Sequence, residues 1–206
     1  WKTAICQELA ESESAFSSYE SLLIANDSVY GPLQPLAPII AKMSAGGADF
    51  CGITDSWRYG QHVQSYFILF KRHVACSWVF CRFWSDMAYH RSKHAVIWTG
   101  EIGLSRTFAR AGFSFDVLCG YQDLRARYER EFSAVEHANL GQSVNSTHYF
   151  WDLLLLDAKC PFIKVQLLRD NPKKIPSVAR WKELIGDSQS DLKDMIERHL
   201  ARSRQP

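Results

Sequence analysis

Leu22 to Ala25 form a short apolar run that stops at the polar triplet Asn26-Asp27-Ser28 before a Gly31-Pro32 break, a pattern that predicts a buried strand ending in a turn. Ahead of it, Ile5, Leu9 and Phe16 fall roughly on one side of a helix predicted over residues 3–16. After the break, Leu33, Leu36, Ile39, Ile40 and Met43 recur at helical spacing. Pro35 and Pro38 sit near the start of this helix, and Gly46-Gly47 ends it. A second strand is predicted over residues 48–53, followed by a polar loop over residues 54–61. Val63 to Phe70, rich in aromatic and β-branched residues, predicts one continuous strand. Val74, Trp78, Cys81 and Trp84 then repeat as in a helix over residues 71–84. Residues 85–94 are polar, and Thr99-Gly100-Glu101 opens a helix in which Ile102, Leu104 and Phe108 face inward, with Gly112 as its stop. A strand over residues 113–118 follows. The polar stretch 121–143 reads either as a helix from Leu124 to Val135 or as a flap. An apolar helix over residues 147–156, capped by Asn145 or Ser146, a short packed piece over residues 161–168 and a surface helix over residues 190–202 complete the chain. Strands alternate with helices throughout, which predicts an α/β sandwich.

Composition narrows the classes of function. The chain has 206 residues, is 47% hydrophobic and carries a net charge of +2, too small to argue for nucleic acid as a partner. Seven Trp and an aromatic share of 13% supply material for a core and for a lined pocket. No apolar run approaches the ~20 residues of a membrane span. Cys6, Cys51, Cys76, Cys81, Cys119 and Cys160 are scattered with no C-x-x-C pair, so buried free thiols in a reducing compartment are expected rather than zinc or a disulfide framework. The first residues do not read as a signal peptide, and Trp at position 1 suggests a piece of something longer.

Four polar clusters stand at the ends of apolar elements. Asn26-Asp27-Ser28 ends a strand where open α/β sheets bind ligands, and its oxygen-only donors suit Mg²⁺ or Mn²⁺. An Asx-type turn is the alternative. Asp55, Arg58 and His62 lie in the loop before the long strand, with Gln64 and Ser65 at its start. They read either as a sugar-hydroxyl pocket or as solvated loop residues. Glu101 reads as a helix-start carboxylate, or, if it points into a cleft, as a general base for an acceptor hydroxyl. Asn145-Ser146-Thr147-His148 opens an apolar helix, and His148 reads either as a cap or as a group completing a metal or diphosphate site. The basic residues Lys164, Arg169, Lys173, Lys174 and Arg180 read as solvated charge, or as contacts to phosphate or an anionic membrane surface.

The order of motifs is more specific than any one of them. Leu-Leu-Ile-Ala-Asn-Asp-Ser-Val-Tyr-Gly-Pro-Leu at 22–33, Ala-Asp-Phe-Cys-Gly-Ile-Thr-Asp at 48–55 and His-Val-Gln-Ser-Tyr-Phe-Ile-Leu-Phe at 62–70 come first. Gly-Glu-Ile-Gly-Leu-Ser at 100–105, Asn-Ser-Thr-His-Tyr-Phe-Trp at 145–151 and Pro-Phe-Ile-Lys-Val-Gln-Leu-Leu-Arg-Asp-Asn-Pro at 161–172 follow. Together they resemble the rhamnan synthesis protein F family of bacterial polysaccharide glycosyltransferases, over roughly residues 18–175.

The resemblance implies a GT-A-like α/β fold, a mixed sheet flanked by helices. Residues 1–175 would form the C-terminal part of a glycosyltransferase domain and residues 176–206 a helical extension. Only 26 residues precede Asp27, so the N-terminal nucleotide-binding half of such a domain is expected to be absent from this chain or supplied elsewhere. The implied reaction is transfer of a sugar, typically rhamnose from a dTDP donor, to a growing cell-surface glycan. It would take place in the cytoplasm or at the inner face of the plasma membrane, with peripheral membrane contact and no nucleic-acid partner. The Asp-x-Asp slot of GT-A enzymes is similar to Asn26-Asp27-Ser28, which gives Asp27 the metal role and Asn26, Ser28 and His148 places at the cofactor, with His148 as a second metal contact. Glu101 would be the base of an inverting reaction, with Asp55 as a further catalytic carboxylate. Trp57, His62, Gln64, Ser65 and Tyr66 would line the acceptor side. The reading from another class is a carbohydrate-binding or assembly module without catalysis, in which Trp57, Tyr59, Tyr66 and Trp98 grip glycan.

Overall fold

A computed structural model describes residues 1–11, 15–131, 144–186 and 189–203. In chain order come α1 (Lys2–Glu11), β1 (Ser21–Ala25), β2 (Val29–Tyr30), α2 (Leu36–Ala45), β3 (Phe50–Ser56), β4 (His62–Val63) and β5 (Phe67–Lys71). Helices α3 (Arg72–Ala75), α4 (Trp78–Asp86) and α5 (Lys93–Val96) follow. A π turn over Ile97–Ile102 joins α5 to α6 (Gly103–Arg110), after which come β6 (Phe115–Cys119) and α7 (Tyr121–Glu131). The remaining elements are α8 (Ser146–Tyr149), α9 (Trp151–Leu156), β7 (Ile163–Lys164), α10 (Val165–Asp170), a 3-10 turn over Pro176–Arg180, α11 (Trp181–Ile185) and α12 (Ser190–Ser203). The expected continuation of α7 to Val135 lies outside the described residues.

The α/β class holds, with a mixed sheet flanked by helices. The chain divides into two compact units, Trp1–Ala25 with Ile39–Leu118, and Asn26–Pro38 with Cys119–Pro206.

In the first unit the strand order is β1-β5-β3-β4, with β6 also paired to β3, and β1–β5, β3–β5 and β3–β4 run antiparallel. An aromatic core fixes the helices on this sheet. Phe50 and Phe70 stack at 5.5 Å, Phe70 meets Phe80 of α4 at 5.3 Å, and Phe108 of α6 lies 5.7 Å from Phe50. The helix expected over residues 71–84 is split at Cys76-Ser77, where the Ser77 hydroxyl accepts from the Phe80 backbone N–H and caps α4.

The second unit pairs β2 with β7 and packs Trp151, Leu155, Leu167, Trp181, Ile196 and Leu200 into one core, so the C-terminal helix α12 shares that core. Asn145 is the cap of α8, its side chain accepting from the Thr147 backbone N–H. All six cysteines are free, Cys51, Cys119 and Cys160 among the buried residues and Cys76 exposed. Burial pushes the Cys51 thiol up to about 12, with Asp116 raising it further, which makes it an inert core residue.

Candidate functional site

The residues expected along 54–66 form a built polar site within the first unit. Where the pattern predicts one strand from Val63 to Phe70, the ladder is interrupted. Asp55 pairs with Val63 and Gly52 with Ile68, so three steps along β3 face five along its partner. The surplus residues form a bulge over Gln64, Ser65 and Tyr66, and bulges beside sites re-aim side chains. Thr54, buried on β3, holds the bulge from behind: its hydroxyl donates to Gln64 Oε1 at 2.8 Å and lies 2.9 Å from the Tyr66 hydroxyl. Its carbonyl accepts from the Gln64 backbone N–H at 2.9 Å.

The bulge turns Ser65 toward Glu101. Both the backbone N–H and the hydroxyl of Ser65 donate to Glu101 Oε2 at 2.8 Å. Glu101 sits on the π turn, a rare interruption of a helix that is frequently found at functional sites. The helix therefore begins before Thr99, at Lys93, with Ser92 as its cap. One turn after Glu101, the Ser105 hydroxyl accepts from the Val63 backbone N–H at 3.0 Å, tying the same helix to β4.

His62 is buried beside this carboxylate. Its Nδ1 lies 2.8 Å from the Gly60 carbonyl, which can only accept, so Nδ1 carries the proton. Its Nε2 is left facing Glu101 Oε1 at 3.6 Å. With Oε2 pinned and the Glu101 side chain 17% exposed, the carboxylate is held in place while still reachable.

Asp55 is buried and fixes the following loop: its Oδ2 accepts from Trp57 Nε1 at 3.0 Å and from Gln61 Nε2 at 3.1 Å. β3 thus runs on to Ser56, with Thr54, Asp55 and Ser56 buried where a solvated loop is predicted. Thr54, Ser105 and Arg106 are the residues that the sequence reading misses. For Ser105 a signal existed, since it lies four positions after Glu101 on the same helix.

The second unit holds the other candidates. The turn after β1 is made by Asn26, whose Oδ1 accepts from the Ser28 backbone N–H at 3.0 Å and the Ser28 hydroxyl at 2.6 Å. The Ser28 hydroxyl in turn accepts from Lys164 Nζ at 3.1 Å. Asp27 is exposed, and its carboxylate makes no hydrogen bond or ion pair with a described residue. The Asx-turn alternative therefore falls on Asn26 and not on Asp27. His148 is buried on α8. Among the described residues no three His, Cys, Asp or Glu side chains converge as a metal cage. Asp27 offers a single carboxylate, which fits an ion that takes its other positions from water and phosphate.

A sequence profile of rhamnan synthesis protein F matches residues 1–206, the whole chain. The chain belongs to the rhamnan synthesis protein F family. The family takes its name from rhamnan, a polysaccharide. It is similar to virulence protein VirA of Vibrio anguillarum, with 28% identity over 198 residues that cover 88% of this chain and 63% of that protein. It is also similar to the uncharacterized protein y4gN of Sinorhizobium fredii, with 26% identity over 143 residues that cover 64% of this chain and 37% of that protein. The chain thus spans less than two thirds of the length of either relative. No solved structure matches.

Proposed function

We propose that this family member is the catalytic segment of a glycosyltransferase that moves rhamnose or a similar sugar from a dTDP-type donor to a cell-surface glycan, with Glu101 as general base. The carrying observation is the Ser65 clamp on Glu101, two donors on one carboxylate oxygen beside the buried His62. In the proposed step the acceptor hydroxyl gives its proton to Glu101 as its oxygen bonds to the anomeric carbon. The bond from that carbon to the donor diphosphate breaks, and the diphosphate leaves as the nucleotide. His62 Nε2, 3.6 Å from Glu101 Oε1, is the ring atom that would face the newly protonated carboxyl. Asp55 shapes the acceptor-side loop through Trp57 and Gln61, and Gln64 and Tyr66 keep the bulge in register.

Asp27 is assigned to the donor diphosphate, with Asn26, Ser28 and His148 on the same side. A Mg²⁺ or Mn²⁺ ion held by Asp27 would neutralise charge on the leaving group. The Asp27 carboxylate, unengaged among the described residues, supports that assignment, as does Lys164, whose ammonium reaches the adjacent Ser28 and suits a phosphate. We propose that the reaction takes place in the cytoplasm or at the inner face of the plasma membrane.

The alternative, a carbohydrate-binding or assembly module, draws on the exposure of Trp57, Tyr59 and Trp98, at 38%, 47% and 43%. Calorimetric titration of the full-length protein with dTDP and Mn²⁺ separates the two. The enzyme predicts metal-dependent binding that Asp27→Ala weakens at least tenfold. Glycan binding with no nucleotide binding would favour the module.

A further inference from the structure

Beside Glu101 lies a patch that the transfer chemistry does not use. Trp98 precedes Glu101 by three positions on the same π turn, and its ring meets that of Tyr59 edge to face at 5.5 Å. The Arg58 guanidinium lies 5.0 Å from the centre of the Tyr59 ring, and the Arg106 guanidinium 5.2 Å from that of Trp98. Arg106 also donates to the Tyr59 carbonyl, which ties the loop to α6. Tyr59 and Gly60 take the left-handed backbone at φ 68° and 93°, a conformation a tyrosine adopts only at a cost. That cost is carried by a loop that presents its ring at 47% exposure instead of burying it.

A guanidinium stacked on a ring keeps its in-plane N–H donors, and those donors form a planar fork matched to phosphate and carboxylate. Neither Arg58 nor Arg106 forms an ion pair with a described residue. Two arginines set over partly exposed aromatic rings, with no ion-pair partner among the described residues, describe a site for a sugar that carries a negative charge. Trp57, its Nε1 tied to Asp55, offers an apolar surface for the sugar carbons in the same loop.

We infer that Arg58 and Arg106, fixed on Tyr59 and Trp98, form an acceptor subsite that reads an oxyanion borne by the glycan acceptor, either a sugar phosphate or a uronate. The inference rests on Glu101 acting as the acceptor-side base. In a displacement with inversion the acceptor oxygen enters opposite the leaving diphosphate, so groups packed beside the base meet the acceptor and not the donor.

The test is an NMR titration of the full chain with ¹⁵N-labelled Trp indoles, the Trp98 signal being assigned by Trp98→Phe. The probes are rhamnose 1-phosphate, glucuronate, rhamnose, inorganic phosphate and dTDP. We expect rhamnose 1-phosphate or glucuronate to shift the Trp98 signal saturably and at least tenfold more tightly than rhamnose or phosphate, and whichever of the two binds names the source of the anion. Arg58→Gln with Arg106→Gln should remove that preference at least tenfold. Arg58→Gln alone, whose guanidinium holds no backbone group, should lower it several-fold if the double variant does not fold. Equal binding of rhamnose, equal binding of phosphate alone, no binding of either charged sugar, or an arginine-dependent shift with dTDP alone would each overturn the inference. Glu101→Gln should keep the arginine-dependent preference for the charged sugar while removing transfer. A loss of the base reading therefore shows in turnover, and a loss of the subsite shows in the titration.

Discussion

Ser65 makes both of its donations to one oxygen of Glu101, and they differ in what a substitution can remove. Ser65→Ala deletes the hydroxyl but leaves the backbone N–H, so the carboxylate keeps one anchor. Loss of one such hydrogen bond costs about 1 kcal/mol. Transfer is therefore expected to slow about five- to tenfold in kcat with little change in the donor KM, and steady-state kinetics on the full-length protein checks this. A second residue-scale clamp joins the start of β3 to the segment before β6. Asp49 accepts from the backbone N–H and the hydroxyl of Ser114 at 2.6 and 2.7 Å, and its other oxygen meets His73 Nε2 at 2.8 Å. The Ser114 backbone bond, then its hydroxyl and His73, hold the Asp49 carboxyl below its ordinary range. A depressed carboxyl contributes stability above its ordinary range, and that stability is lost as pH falls through the folded value. The thermal midpoints of the native protein and Asp49→Asn should accordingly differ most near neutral pH and converge under acid. A gap that is constant with pH would contradict the clamp.

At the scale of elements, the bulge between β4 and β5 depends on how closely β3 approaches β4. A Cβ on Gly52 would lie 2.2 Å from Cγ1 of Val63, a buried β-branched side chain with little freedom to move. Gly52→Ala is expected to cost about 1–3 kcal/mol by overpacking. The same change in a Val63→Ala background should cost much less, a coupling that urea unfolding of the four proteins in the cycle measures. Strictly additive costs would mean that the strands do not meet as described. The same elements show what a sequence reveals. β3 and the core face of α6 are legible, since Phe50, Ile102, Leu104 and Phe108 are buried as their spacing predicts; the face of α4 is not, since Val79, Phe80 and Trp84 pack inward while Trp78, on the expected face, is exposed. Nor is the bulge, since Gln64-Ser65-Tyr66 lies inside a run rich in aromatic and β-branched residues that reads as one continuous strand. Its departure answers to a carboxylate 36 positions away. Glu101 and the loop before the strand stand out as polar residues next to apolar runs. Thr54 acts through tertiary contacts that no local pattern encodes, whereas Ser105 is within reach of a sequence reading, one helical turn after Glu101.

On the scale of the whole molecule, each unit closes its own core, around Phe50, Phe70 and Phe108 in one and around Trp151, Leu167 and Ile196 in the other. Glu101 belongs to the first and Asp27 to the second. The two roles proposed for transfer, base and donor carboxylate, thus fall on different compact units of a chain that spans 63% of its VirA relative. Activity has to be measured on the full-length protein for this reason. The most direct test is rhamnose transfer from dTDP-rhamnose to polysaccharide-bearing membranes, comparing the native protein with Glu101→Gln. This change keeps the side chain's size and an oxygen to accept from Ser65, but it removes the base. Loss of a general base lowers the rate by about 10²–10⁴-fold. The account predicts a loss of that size with dTDP binding unchanged, and transfer by Glu101→Gln at the native rate would contradict it.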